Sequence, residues 1–147
     1  MLEIEVKPYN VLTKEELYEL LQLRSEVFVV EQNCVYQDVD YKDQKALHVL
    51  GKKGNKLVAY TRIFNAGEYF KNPSIGRVVV KKEERKFGYG HNIVQASIEA
   101  ITTKFNHLPI EISAQCYLIK FYKTHGFEQL GEEYLEDGIP HVKMIRN

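Results

Sequence analysis

Between the apolar run RVVV (Arg77–Val80) and a helical pattern that opens at His91, the chain carries RKFGYG, Arg85 to Gly90. Cations and glycines at the junction of a buried strand and a long helix are the residue types an anion site needs. The start of a helix presents unpaired N–H groups and the positive end of its dipole, and the two together attract phosphate. Gly88 and Gly90 allow the main chain to approach an anion more closely than any Cβ permits, while Arg85 and Lys86 add charge where a pyrophosphate would lie. For an isolated RxxGxG, a glycine turn with solvated cations is the better reading. The motif also lacks the GK[ST] of a P-loop and the third glycine of a dinucleotide fingerprint, so those nucleotide sites are disfavoured.

A second cluster lies in DVDYKDQ, where Asp38, Asp40 and Asp43 fall close together. Such a run could bind calcium, but it has neither the glycine nor the terminal glutamate of an EF-hand loop, and it reads as a solvated acidic loop. Cys34 and Cys116 are far apart and belong to no metal-ligand or CxxC pattern. Both read as small core hydrophobes, and no metal site is expected.

The elements that must position these groups follow from periodicity. LEIEVKPY alternates like a half-buried strand that Pro8 should end. In TKEELYELLQLRSEVF, Thr13 and Glu16 are spaced as a capping box, with Leu17, Leu20, Leu21, Arg24 and Phe28 along one helical face. KALHVLGKKGNKLVAYTRIF reads as two strands around a Gly54-Asn55 turn, and SIGRVVV as a third. From about Gly88 to Phe105, Ile93, Ser97, Ala100, Ile101 and Phe105 keep helical spacing, and Val94 and Ile98 widen the apolar face. PIEISAQ is a strand, CYLIKFYKTHGF a short helix ended by Gly126, and GEEYLEDGIPHVKMI a hairpin around Asp137-Gly138. The order β-α-β-β-β-α-β-α-β-β is mixed α/β. At 147 residues and 44% hydrophobic, with no shift in composition, it makes one domain spanning 1–147.

Lysine plus arginine balance aspartate plus glutamate at 20 each, so no global charge draws the protein to nucleic acid or an anionic membrane. Glutamates occupy the opening segment where a secretory signal would be apolar, and no apolar run approaches the ~18 residues of a spanning helix. A cytoplasmic location is expected.

The RVVV strand, RxxGxG, the long helix, the next strand and FYKTHGF together resemble the GNAT superfamily of acetyl-CoA-dependent N-acetyltransferases. LRSEVFVVEQNCVYQDVD, His48, AQCYLIKFYKTHGF and EDGIPHVKM are similar to its ElaA subgroup, so the resemblance runs from Leu23 to Met144. It implies a mostly antiparallel sheet flanked by helices, in which SIGRVVV and PIEISAQ splay apart to admit acetyl-CoA as co-substrate. Main-chain groups of Val78 and Val80 would then pair with the pantetheine arm, and a backbone N–H near Val79 or Val80 would donate to the thioester oxygen. Arg85, Lys86, Phe87, Gly88, Tyr89, Gly90 and His91 would hold the pyrophosphate. Where such enzymes often carry Asn, Ala and Tyr, this chain has Gln115, Leu118 and Tyr122; Gln115 can still donate and accept hydrogen bonds to the co-substrate.

Acetyl transfer to an amine needs a base, an oxyanion donor and an acid for the departing thiolate. The resemblance puts Tyr122 in the acid's place, with an aromatic core residue as the alternative. Glu31, His48, Glu111 and His141 are candidates for the base, each with a structural role as the alternative, and Tyr36 could line the acceptor pocket. The expected function is direct transfer in a ternary complex to a small-molecule or peptide amine, with no nucleic-acid or membrane partner; a homodimer is left open. The competing classes are a non-catalytic acyl-CoA sensor and a protein-interaction domain.

Overall fold

The computed structural model describes residues 1–106 and 108–147. The eight strands are β1 (Glu3–Pro8), β2 (Leu47–Lys53), β3 (Lys56–Phe64), β4 (Ser74–Val80), β5 (Ile110–Gln115), β6 (Glu128–Gln129), β7 (Tyr134–Glu136) and β8 (Ile139–Arg146). They form one sheet in the order β1-β2-β3-β4-β5-β8-β6, with β7 also on β8. Only β4 and β5 run parallel. The helices are α1 (Lys14–Arg24), α2 (Tyr89–Lys104) and α3 (Ile119–Lys123).

Strand alternation sends neighbouring residues to opposite faces, and here both faces are covered. On one, Val49, Ile63, Ile75 and Ile112 pack with Ile93, Val94, Ile98 and Ile101 of α2. On the other, Leu50, Leu57, Tyr60 and Val79 pack with Leu20 and Leu23 of α1 and with Val27 and Phe28 beyond it. Burying one such side chain stabilises the fold by roughly 1.5–3 kcal/mol. The expected capping box begins α1: Glu16 N–H donates to Thr13 Oγ1 at 3.0 Å, and Thr13 N–H to Glu16 Oε1 at 2.9 Å. The helix does not continue regularly to Phe28. A π turn over Ser25–Glu31 widens it, and the buried face becomes Leu20, Leu23, Arg24, Val27 and Phe28 instead of one through Leu17 and Leu21.

Two irregularities open the sheet. Tyr60 pairs with Val79 but Arg62 with Gly76, so β4 carries one extra residue there, and Arg77 takes φ 51° to make the bulge. Farther along, β4 and β5 share a single paired position, Ser74 with Glu111, and then part. Both predicted hairpin turns form, with Gly54 at φ 65° and Asp137 and Gly138 at 51° and 77°. The two-residue β6 is an addition to the expected order, too short to leave a periodic signal.

Candidate functional site

The parted strands border a cavity of about 490 Å³. Val78, Val79 and Val80 form one wall, and β4 has no strand partner there on its β5 side. Gln115, Tyr117, Leu118, Phe121 and Tyr122 form the opposite wall, and Val27, Phe28, Glu31 and Gln32 of the π turn close it from above. Its far end is Arg85, Gly88, Gly90 and His91. Gly88 caps α2 at φ 74° with no side-chain capping bond, and His91 N–H donates to its carbonyl at 3.1 Å, which leaves the N–H groups of Tyr89 and Gly90 available to a ligand. A Cβ on Gly90 would lie 3.5 Å from the Phe121 ring, an ordinary van der Waals contact.

Not every residue of the turn faces this cavity. Lys86 is exposed with its ammonium 5.3 Å from the Phe87 ring, Phe87 is half exposed, and Tyr89 is buried in the α2 core. None of the three lines the cavity. A short 3-10 turn over Lys82–Phe87 aims these side chains elsewhere and leaves the glycines and Arg85 at the edge.

A smaller cavity of about 120 Å³ lies on the other side of the bulge. Its walls include Cys34 and Tyr36 of the loop after the π turn, Tyr69 and Phe70, Arg77 of the bulge, Ser113 of β5, and Glu136, Asp137 and His141 of the last hairpin. Phe28, Gln32, Val78, Gln115, Leu118 and Tyr122 line both cavities. Tyr122 therefore stands where they meet. It is 6% exposed, burial raises its pKa further above neutrality, and its hydroxyl has no hydrogen-bond partner among the described residues. A phenol so placed is a protonated, unoccupied donor.

The base candidates separate cleanly. His48 is fully buried in β2, with Nδ1 2.5 Å from the Tyr60 hydroxyl and Nε2 2.9 Å from the Asp43 carbonyl. It lines neither cavity, and burial lowers its pKa, so the expectation that it borders the cleft is corrected: it is a satisfied core histidine. Glu31 does reach the larger cavity, but both its oxygens accept from Arg85, at 2.6 and 2.8 Å. That guanidinium depresses the Glu31 pKa and makes it a poor base, so its expected catalytic place is corrected to an ionic partner. Glu111 accepts from Asn72 at 3.2 Å and lines neither cavity. His141 alone of the four lies in the smaller cavity.

The acidic run is not solvated, a further correction. Asp38 and Asp43 are buried, and with Asp40 they bind Arg24, Arg62 and Arg77. Arg24 donates to Asp38 and Asp43 at 2.8 Å each; Arg62 donates to Asp40 at 2.9 and 2.7 Å and to Asp43 at 2.9 Å. Arg77 Nε stands 2.7 Å from Asp38 at an angle outside hydrogen-bond geometry, while its Nη2 donates to the Asp38 carbonyl at 3.0 Å. Three cations thus neutralise three carboxylates, and the loop they anchor carries Tyr36, whose hydroxyl donates to Asp38 at 3.1 Å. The arginines, Ser113 and Glu136 were missed as site residues because their partners are far away in sequence. The predicted turn at Asp137-Gly138 was the one signal placing Glu136 at a strand end. Among the described residues no group of three His, Cys, Asp or Glu side chains could hold a metal, and no helix is long and apolar enough to cross a membrane.

The fold that holds this cavity is shared with proteins of known family. Residues 9–147 match the acetyltransferase (GNAT) domain. ElaA of Escherichia coli is 40% identical over 99% of this chain and 97% of its own, and a UPF0039 protein of Schizosaccharomyces pombe is 42% identical over 97% and 95%. The crystal structure of E. coli ElaA superposes with a TM-score of 0.93 over 100% of both chains. That of an acyl-CoA N-acyltransferase from Pseudomonas aeruginosa gives 0.92 at 39% identity over 99% of both. Agreement this close in sequence and backbone, over essentially whole chains, makes the splayed strands a shared inheritance: the protein belongs to the GNAT acetyltransferase family and is an acyltransferase.

Proposed function

We propose that the protein transfers an acetyl group from acetyl-CoA to an amine, directly, within a ternary complex. The observation that carries this reading is the meeting of the two cavities at Tyr122. The larger runs from the parted strands to a glycine-turn end suited to a pyrophosphate, and the smaller opens beside the point where the thioester would lie. Phe28 and Leu118 crowd that point, which supports a short acyl group. Because both cavities exist together in one conformation, amine and thioester can be held at once and no acyl-enzyme is needed.

In this reading the pantetheine arm pairs with the free side of Val78–Val80 as an added strand would. A main-chain N–H at Val79 or Val80 donates to the thioester oxygen as it becomes an oxyanion. The amine attacks, the C–S bond breaks, and Tyr122 protonates the sulfur. Gly88, Gly90 and the first turn of α2 hold the pyrophosphate, with Arg85 and His91 beside it.

The test is an acceptor screen with acetyl-CoA that follows free CoA and identifies products by mass spectrometry. Stoichiometric CoA release with an N-acetylated product is the expected result. Tight CoA binding without turnover on any amine would replace this reading with a sensor.

A further inference from the structure

We propose that His141 is the general base that takes the proton from the acceptor amine, and that Glu136 holds the charge it gains; this rests on the transfer reading above. Nδ1 of His141 lies 2.7 Å from the carbonyl oxygen of Ile139. A carbonyl only accepts, so Nδ1 carries the hydrogen and the lone pair is on Nε2. Nε2 faces Oε2 of Glu136 at 3.5 Å. In the neutral ring these are two acceptors that face each other. A proton on Nε2 converts the opposition into an ion pair, so the geometry favours the protonated product of base catalysis.

The pair is held in place. Ser113 donates to Glu136 Oε1 at 3.1 Å and bonds the Tyr134 hydroxyl, and the Tyr134 ring stacks on His141 with centroids 6.3 Å apart. In the β5–β8 ladder His141 is directly opposite Gln115, which lines both cavities. Paired residues share a face with Cβ atoms roughly 4.5–5.5 Å apart, so His141 stands one side chain from the transfer point. The ionisable groups around it are Glu136 and Tyr134 of β7, Asp137 of the turn, Lys143 two residues along the same face of β8, Tyr122 of α3, Cys34 and Tyr36 of the loop, and Arg77 of β4. The Arg77 charge is matched by Asp38 and Asp40, and the Lys143 ammonium lies 3.9 Å from Glu111, so Glu136 is the carboxylate that directly meets a proton arriving on Nε2.

The balance is simple. The amine nitrogen gives one proton to Nε2 and forms the C–N bond; the C–S bond breaks with its electron pair on sulfur, which takes the Tyr122 proton. The proton on His141 then passes through solvent to the tyrosinate. An acceptor that arrives as an ammonium ion first releases one further proton to solvent.

Two measurements test this. In protein labelled with ¹⁵N-histidine, neutral His141 should be the Nδ1–H tautomer, and Glu136→Gln, a change at a half-exposed side chain, should slow single-turnover transfer by about tenfold or more while acetyl-CoA binding is unchanged. An Nε2–H tautomer, or a Glu136→Gln variant that transfers at the parent rate, would overturn the proposal. With acetyl-CoA and cadaverine, or the amine the acceptor screen returns, His141→Gln should lower the single-turnover rate about 10²–10⁴-fold and abolish the acidic limb of the pH–rate profile. A parent that transfers to no amine removes the transfer reading and this proposal together. A parent that transfers, beside a folded His141→Gln that keeps its rate and its acidic limb, removes this proposal alone.

Discussion

The two cavities that meet at Tyr122 are made of different material. The larger is shaped by main chain: a strand edge without a partner, a glycine at φ 74° and the first turn of a helix. The smaller is shaped by side chains from the loop after the π turn, the β4 bulge, β5 and the last hairpin, and it is braced from behind by buried ion pairs. A backbone cradle depends on local residue types and tolerates many side chains. A side-chain pocket depends on contacts between distant segments, and so can take a new acceptor without disturbing how the co-substrate is held.

The sharpest way to break that contrast is to remove a brace. Arg62 is 1% exposed and serves both Asp40 and Asp43. Arg62→Met should cost about 3–5 kcal/mol, because it takes from Asp40 its main partner and from the buried Asp43 one of its two guanidinium partners. Urea unfolding measures this, and a loss under 1 kcal/mol would show the cluster to be dispensable. The same ion pairs set an acid dependence. Burial alone would raise the Asp40 pKa, but hydrogen bonds and charge from Arg62 overcome it and hold it at about 2, below its ordinary 3.8. Its folded pKa is depressed, so its contribution is complete above pH 3.8 and is lost as the pH falls toward 2. Unfolding midpoints across that window should fall more steeply for the parent than for Arg62→Met.

Tyr122→Phe acts at the junction and keeps the ring's packing. Acetyl transfer should slow about 10²-fold, the low end for general acid catalysis because a thiolate already leaves well, while acetyl-CoA binding changes little. Single-turnover rates at saturating substrates, with binding measured separately, decide it. Transfer at the parent rate would make Tyr122 a packing residue.

On the co-substrate side, Gly88→Val should weaken CoA binding. No atom lies near a Cβ built at Gly88, so the damage comes from φ 74°, which costs a residue with a Cβ about 1–2 kcal/mol and pulls the first turn of α2 out of line. Gly90 has an ordinary φ, and a methyl there meets Phe121 at normal contact distance. Gly90→Ala should therefore bind CoA nearly as well as the parent. Calorimetric titration of both variants, with circular dichroism as a folding control, checks the pair, and equal losses would contradict a backbone origin.

What the residues announced in advance follows the same division. Capping at Thr13, turns at Gly54 and at Asp137-Gly138, the α2 face and the glycine turn that begins α2 are all local, and each was legible. The acidic run was misread because Asp38 finds Arg24 fourteen positions earlier and Arg77 thirty-nine later, distances at which no periodicity speaks. His48 was misplaced because a strand histidine carries no mark of whether its face meets a cleft or a core. Arg24, placed on the buried face by spacing, was the one hint that a buried cation needed a buried partner.

The smallest effect is the most diagnostic of how the two sides communicate. Arg85 sits at the glycine-turn end of the larger cavity, donating to the Val80 carbonyl at 3.0 Å and to both oxygens of Glu31. If its role is to meet phosphate, Glu31 competes with the co-substrate for the same guanidinium, and Arg85 can turn to phosphate only by releasing it. Both side chains are partly exposed, and such pairs contribute about 0–1 kcal/mol. Glu31→Gln should therefore tighten CoA binding by up to about fivefold, while Arg85→Ala weakens it by about tenfold through loss of a charged hydrogen bond. In the double variant the gain from Glu31→Gln should vanish, because the freed guanidinium is no longer there. If instead Glu31→Gln weakens binding, the pair is a brace that orders the π turn over the cavity, and the co-substrate would then be held by the main chain alone.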